Sequence, residues 1–203
     1  MFKNHDTGQN DSGIQRILEQ KQINFVLYSD PFLKAGFLSK LVQDYNENIL
    51  YLDLDLLYSG YVKSGTLPSK KNITLFQPDN LTLTNNLKEM LSKASTTKSV
   101  IIVDSINGLY NLLNRKKDIG KTVTSIIMLL ASISRDTDSY VIVCSMARYK
   151  KEEGWVLSPT GKRLIDTKNS KKILLEYGKD GIVLNRLDDS IKLAIPSKMI
   201  PLV

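Results

Sequence analysis

Near the middle of the chain stands the run Ser99-Val100-Ile101-Ile102-Val103-Asp104-Ser105. Four β-branched residues stand in a row with no polar alternation. A run of this kind marks a strand buried on both faces, as in a parallel sheet covered by helices. Asp104 follows at the carboxyl end, where open α/β sheets place their ligands. In phosphate-transferring enzymes a carboxylate at this point holds magnesium, often through water.

Working outward, the neighbouring segments repeat the pattern. Asn24–Tyr28 reads as a buried strand, and Ser29-Asp30-Pro31 as a turn with Pro placed to open a helix. Leu33, Phe37, Leu38, Leu41 and Val42 recur at helical spacing and predict a helix over 32–45. Asn48–Asp55 reads as a second strand with an acidic end, Ser59–Lys71 as a Gly/Ser-rich loop, and Ile73–Phe76 as a third strand. Asn80 or Thr82 is placed to cap a helix carrying Leu83, Leu87, Met90 and Leu91. Beyond Asp104, residues 106–113 are mixed and residues 114–121 form a basic loop. Val123–Ser134 reads as an apolar helix and Tyr140–Cys144 as a fifth strand. Strands alternating with helices predict a parallel sheet.

The chain then changes character. Residues 148–172 are polar and basic, broken by Gly154, Pro159 and Gly161. Three short runs follow, 172–177, 181–187 and 190–195, with turns short enough for an antiparallel meander. At the other end, residues 1–11 read as a flexible tail, and Ile14, Ile17 and Leu18 as a short helix for the sheet edge. The expected organisation is one domain over 12–203.

Composition narrows the function classes. The 28 Lys+Arg against 21 Asp+Glu give a formal charge of +7, which favours an anionic partner such as nucleic acid. One Cys, Cys144 in an apolar run, excludes a disulfide framework. With one His, His5, no metal site is expected. Neither a secretory signal nor a membrane span is legible, so the expected location is cytoplasmic, nucleoid-associated if the chain binds DNA.

Taken together these residues resemble the RecA-like ATPase core, in particular the archaeal RadA/RadB recombinases and their paralogs. VIIVDS at 100–105 resembles that family's magnesium-binding strand, and YVIVCSM at 140–146 the strand carrying its phosphate-sensing residue. The segment from Gly154 to Ser190 resembles its second DNA-binding loop and the meander after it. The implied fold is a RecA-like, mostly parallel sheet flanked by helices, with a C-terminal antiparallel β meander.

The chemistry departs from the family. A phosphate loop, G-x-x-x-x-G-K-S/T, wraps phosphates in backbone N–H groups and adds a Lys charge and a hydroxyl for magnesium. Here the matching positions run Tyr28-Ser29-Asp30-Pro31-Phe32-Leu33-Lys34-Ala35. Only the Lys survives. Tyr28 and Leu33 replace glycines, Ala35 replaces the hydroxyl residue, and Pro31 removes a donor. The family's catalytic Glu position falls on Asp55 and its sensing Gln position on Met146. The resemblance thus makes Lys34, Asp55, Asp104 and Met146 a vestigial nucleotide site. No catalytic residue and no ATP or magnesium cofactor is expected. On their own, Lys34 reads as a solvated residue of a first helical turn, Asp104 as a capping residue, and Asp53 and Asp55 as a solvated strand end.

Positions matching the family's two DNA-contacting loops hold Arg115, Lys116, Lys117 and Lys121, then Arg148, Tyr149, Lys150, Lys151, Trp155, Lys162 and Arg163. Basic side chains interleaved with aromatics suit single strands, charges tracking phosphates and rings stacking on bases. The family's Phe-x-x-Ala polymerisation motif is not found in residues 1–23, so filament formation is not carried over. The resemblance implies an inactive RecA/RadA paralog serving recombination and DNA repair, with single-stranded DNA, a RadA-type recombinase or another paralog as partner. Two alternatives stand beside it: a structural subunit like those of the Elongator accessory ring, and a RecA/KaiC-type ATPase with an atypical loop.

Overall fold

A computed structural model describes residues 13–114, 117–158 and 169–201. The tail read over residues 1–11 lies outside them. Nine strands form one sheet: β1 (Ile23–Tyr28), β2 (Asn48–Asp53), β3 (Ile73–Phe76), β4 (Ser99–Asp104), β5 (Tyr140–Lys150), β6 (Gly154–Leu157), β7 (Ser170–Gly178), β8 (Gly181–Arg186) and β9 (Ile191–Pro196). Their order is β3-β2-β4-β5-β1-β7-β8-β9, with β6 paired only to the outer part of β5. From β3 to β7 every neighbouring pair is parallel, and β7-β8-β9 is an antiparallel meander. The architecture is the mixed α/β fold that the β-branched runs predict.

Helices cover both faces. Val100 and Ile102 point into a core shared with α2 (Pro31–Asp44) and α3 (Leu57–Lys63). Ile101 and Val103 point into the opposite core, built with α4 (Leu83–Ala94), α5 (Ile106–Leu112) and α6 (Ile119–Asp136). All four are fully buried, which is why β4 has no polar alternation. A short α1 (Ile14–Ile17) buries both isoleucines beside β9, where Gly13 meets Leu193.

Several segments differ from expectation. The stretch read as a loop from Ser59 begins inside α3, which is held because Tyr58 stacks on Tyr51 of β2 with ring centroids 4.7 Å apart. Lys70 of the same stretch donates to the carbonyls of Val42, Gln43 and Tyr45, satisfying the C-terminal end of α2. Residues 106–112 are helix α5, with the Ser105 hydroxyl capping Gly108 N–H at 3.2 Å. Thr82 occupies the N-cap of α4 but makes no side-chain cap; Asp79 instead accepts from Leu81 N and Thr82 N. Lys121 lies in the first turn of α6 rather than in a loop. Arg148, Tyr149 and Lys150 are strand, because β5 runs on past the sheet and turns back as β6.

Two glycines in short helices test this packing with opposite signs. Gly108 lets α5 approach the chain after β2: a Cβ there would stand 2.6 Å from Leu54 Cβ and 2.9 Å from an Asp55 carboxylate oxygen. Gly60 in α3 has open space around it. Gly108→Ala should destabilise by about 1–3 kcal/mol through overpacking. Gly60→Ala should stabilise by roughly 0.5–1 kcal/mol through helix propensity. Urea denaturation of both variants checks the pair; equal effects would contradict the packing.

Candidate functional site

The carboxyl ends of β1 and β4 and the turn after β2 converge on one point, beside the middle of β5. β1 leads directly into α2, and Asp30 sits at that helix's N-cap with its side chain accepting from Phe32 N at 2.8 Å. Pro31 has no N–H to offer. The Tyr177 hydroxyl, from the end of β7, donates to the other oxygen of Asp30. This bond foremost, and the one from Phe32 N, hold the Asp30 carboxyl below its usual range. A helix N-terminus attracts anions. Here the chain's own carboxylate already occupies it. A cavity of about 250 Å³ opens beside this helix end, lined among others by Phe32, Leu33, Tyr61, Tyr177 and Ile182.

Lys34, one turn into α2, points inward and is 1% exposed. Its Nζ lies 2.5 Å from Asp104 Oδ1 and 2.7 Å from Asp55 Oδ2, and 5.2 Å from the centre of the Tyr28 ring. Asp104, also 1% exposed, accepts a second bond at Oδ2 from the Tyr51 hydroxyl at 2.8 Å. The remaining oxygen of Asp55 accepts from Ser105 Oγ at 3.1 Å. The Asp104 carbonyl accepts from Leu54 N at 2.6 Å and Asp55 N at 3.1 Å, which sets the turn that presents Asp55. The Asp104–Ser105 peptide is cis.

The electrostatics follow from burial and pairing. Burial opposes the Lys34 charge, yet Asp104, Tyr28 and Asp55 outweigh it and hold the amine above its ordinary value. Burial pushes the Asp104 carboxyl up to about 6, against the pull of Lys34. Burial likewise pushes up the phenols of Tyr28 and Tyr51. One ammonium faces two carboxylates, so the cluster is net anionic at neutral pH. That is the wrong sign for a triphosphate.

The structure therefore brings Lys34, Asp55 and Asp104 into direct contact. Met146, half-buried, stands level with Tyr28 on the adjacent strand. The solvated reading of Lys34 is corrected: no face of α2 between Leu33 and Val42 is exposed. Of the two residues read as a solvated strand end, Asp53 is buried, with one oxygen accepting from Ser59 N at 2.8 Å, while Asp55 is exposed though paired with Lys34. Asp104 is no side-chain cap; its carboxylate serves Lys34 and Tyr51.

The second group of predicted residues lies on the β5–β6 hairpin. Tyr149 and Trp155 are cross-strand partners with rings edge-to-face at 5.7 Å. Tyr149 is 64% exposed, while Trp155 packs half-buried on the core shared with α5 and α6. Arg148 and Lys151 are exposed, and Lys150 pairs with Glu153 at 2.8 Å. Lys117 and Lys121 are exposed, the latter 3.4 Å from Asp118. Arg115, Lys116, Lys162 and Arg163 lie outside the described residues. Sequence reasoning missed Tyr51, Ser105, Asn107 and Tyr177. Ser105 carried a signal, a capping residue directly after a strand; the others carried none.

The ion cluster generates a test. Lys34→Met leaves Asp104 buried and ionised without its partner, which should cost about 3–5 kcal/mol at pH 8. A carboxyl whose folded-state value lies above its unfolded one gains stability as pH falls through the folded value. Without the ammonium Asp104 protonates more readily, so the loss should shrink by pH 5. Urea denaturation of wild type and variant at both pH values measures this; a pH-independent loss would contradict it.

No family model matches the sequence, and no curated protein matches it. Among solved structures, the crystal structure of the RadB recombinase matches with a TM-score of 0.53 and 15% identity, over 87% of this chain and 86% of that one. Among the described residues no helix is long and apolar enough to cross a membrane. The chain shares the RecA-like fold of that recombinase.

Proposed function

We propose that this chain is a RecA-fold accessory factor of homologous recombination that does not turn over ATP and binds single-stranded DNA. One observation carries the reading: the Lys34 ammonium, the one phosphate-loop group left, is buried between Asp55 and Asp104. A phosphate would have to displace two carboxylates to reach it, with the Asp30 carboxylate standing at the helix end. Asp104, at the magnesium position, is spent on Lys34 and Tyr51. Removing a single preorganised electrostatic element from an active site commonly costs ~10²–10³ in rate. Several are altered together here.

Binding has surface left to work with. The hairpin offers an exposed ring backed by a second ring, flanked by Arg148 and Lys151. Lys117 and Lys121, with Arg115, Lys116, Lys162 and Arg163 by sequence, extend the cationic set. The shared fold with a RadB recombinase supports a recombination setting, with a RadA-type recombinase or paralog as protein partner.

Titrating the protein with a fluorescent single-stranded oligonucleotide tests the reading. Affinity should fall steeply as salt rises, because each phosphate contact releases counterions. Tyr149→Ala should weaken binding by about 1–3 kcal/mol through lost stacking. No anisotropy change and no mobility shift at low salt would contradict DNA binding and favour the structural-subunit alternative.

A further inference from the structure

Asn107 is the second residue of α5 and is half-buried. Its amide reaches across to the foot of the β5–β6 hairpin. Oδ1 accepts from Met146 N at 2.9 Å, and Nδ2 donates to the carbonyls of Ser158 at 2.8 Å and Met146 at 3.4 Å. Ser158 N in turn donates to the Met146 carbonyl at 2.9 Å. These two residues mark where the hairpin begins and ends. Met146 is the last residue of β5 registered with β1, pairing with β6 starts at Ala147, and Ser158 directly follows β6. One side chain thus holds both stems at the point where they leave the sheet.

The other end of this clamp is anchored. Ser105 caps α5 through Gly108 N–H and donates to Asp55, which is fixed by Lys34. Ile106 and Leu109, on either side of Asn107, are fully buried. The hairpin's direction is therefore referred to the ion cluster through the fully buried Ser105 and its bond to Asp55. Among side chains of this size Asn alone has both an acceptor and a double donor in one plane. Asp keeps the acceptor for Met146 N but loses the donor to Ser158; Leu keeps the volume and loses both.

We propose that Asn107 is a positioning residue that fixes the β5–β6 hairpin, and with it the Tyr149–Trp155 pair, in the orientation that binds single-stranded nucleic acid. The proposal rests on the reading of the hairpin as the nucleic-acid surface. Preorganising that surface spares the cost of ordering it when the strand arrives.

Trp155 is the only Trp in the chain, so its emission reports on the hairpin alone. The experiment compares wild type, Asn107→Leu and Asn107→Asp in the full chain, by Trp emission with acrylamide quenching and by anisotropy of labelled oligo(dT) at low salt. Urea midpoints taken alongside show that the variants are folded. Asn107→Leu should red-shift and expose Trp155 and weaken oligonucleotide binding by about fivefold or more. Asn107→Asp, which retains the bond to Met146 N, should fall between wild type and Leu in both readouts, and it carries the test if the Leu variant does not fold. A folded variant with wild-type affinity overturns the proposal, whether or not Trp155 has moved. Wild-type protein that fails to bind oligo(dT) overturns the underlying reading instead, and is seen before any variant is made.

Discussion

A lysine ammonium in a dry interior is sustainable only with anionic partners at bonding distance. Lys34 has two, and much of the structure follows from that requirement. Asp104 must stand at the carboxyl end of β4, and Asp55 must be turned inward after β2, against the first turn of the helix that follows β1. The parallel sheet delivers all of them to one point, since its strands end on the same side. The same geometry that assembles a ligand site in open α/β sheets here assembles an internal salt bridge. Tyr51 and Ser105 then satisfy the carboxylate oxygens that the ammonium does not reach.

This arrangement separates two regions that share a scaffold. In the strand-end cluster Lys34 and Asp104 are buried and paired, with the exposed Asp55 closing over the ammonium from the solvent side. The β5–β6 hairpin projects from the sheet, with exposed cations and an exposed ring. Ser105 at the N-cap of α5 and Asn107 in its first turn bond to one region each. An orientation set by a bound ligand would leave the hairpin adjustable. Here the orientation is set by the protein's own groups, Asn107 bonding to both stems of the hairpin.

The sheet was legible wherever burial leaves a mark on sequence. β1, β2, β3, β4 and the meander stand out as apolar runs between turn residues, and α2 and α6 as periodic stretches. The helices α3 and α5 were not legible. At seven residues each they lie below the length at which propensity alone sustains a helix, and tertiary contacts hold them: the Tyr51–Tyr58 stack and the Ser105 cap. The outer half of β5 was hidden for a different reason. Arg148-Tyr149-Lys150 pairs only with β6, outside the core, and so carries a loop-like composition. The convergence of Lys34, Asp55 and Asp104 followed from the resemblance, but the burial of Lys34 did not, because a lysine on a helix ordinarily reads as solvated. Nothing local marked Asn107, whose partners stand about forty and fifty residues away.

Asp55 and Asp104 occupy the ammonium of Lys34, and Asp30 the end of its helix. The most direct measurement is an equilibrium titration of the wild-type protein with ATP, with and without magnesium, by calorimetry. With the ammonium so engaged, no saturable heat is expected at millimolar nucleotide in either condition. Tight, magnesium-dependent binding that disappears in Lys34→Ala would contradict it.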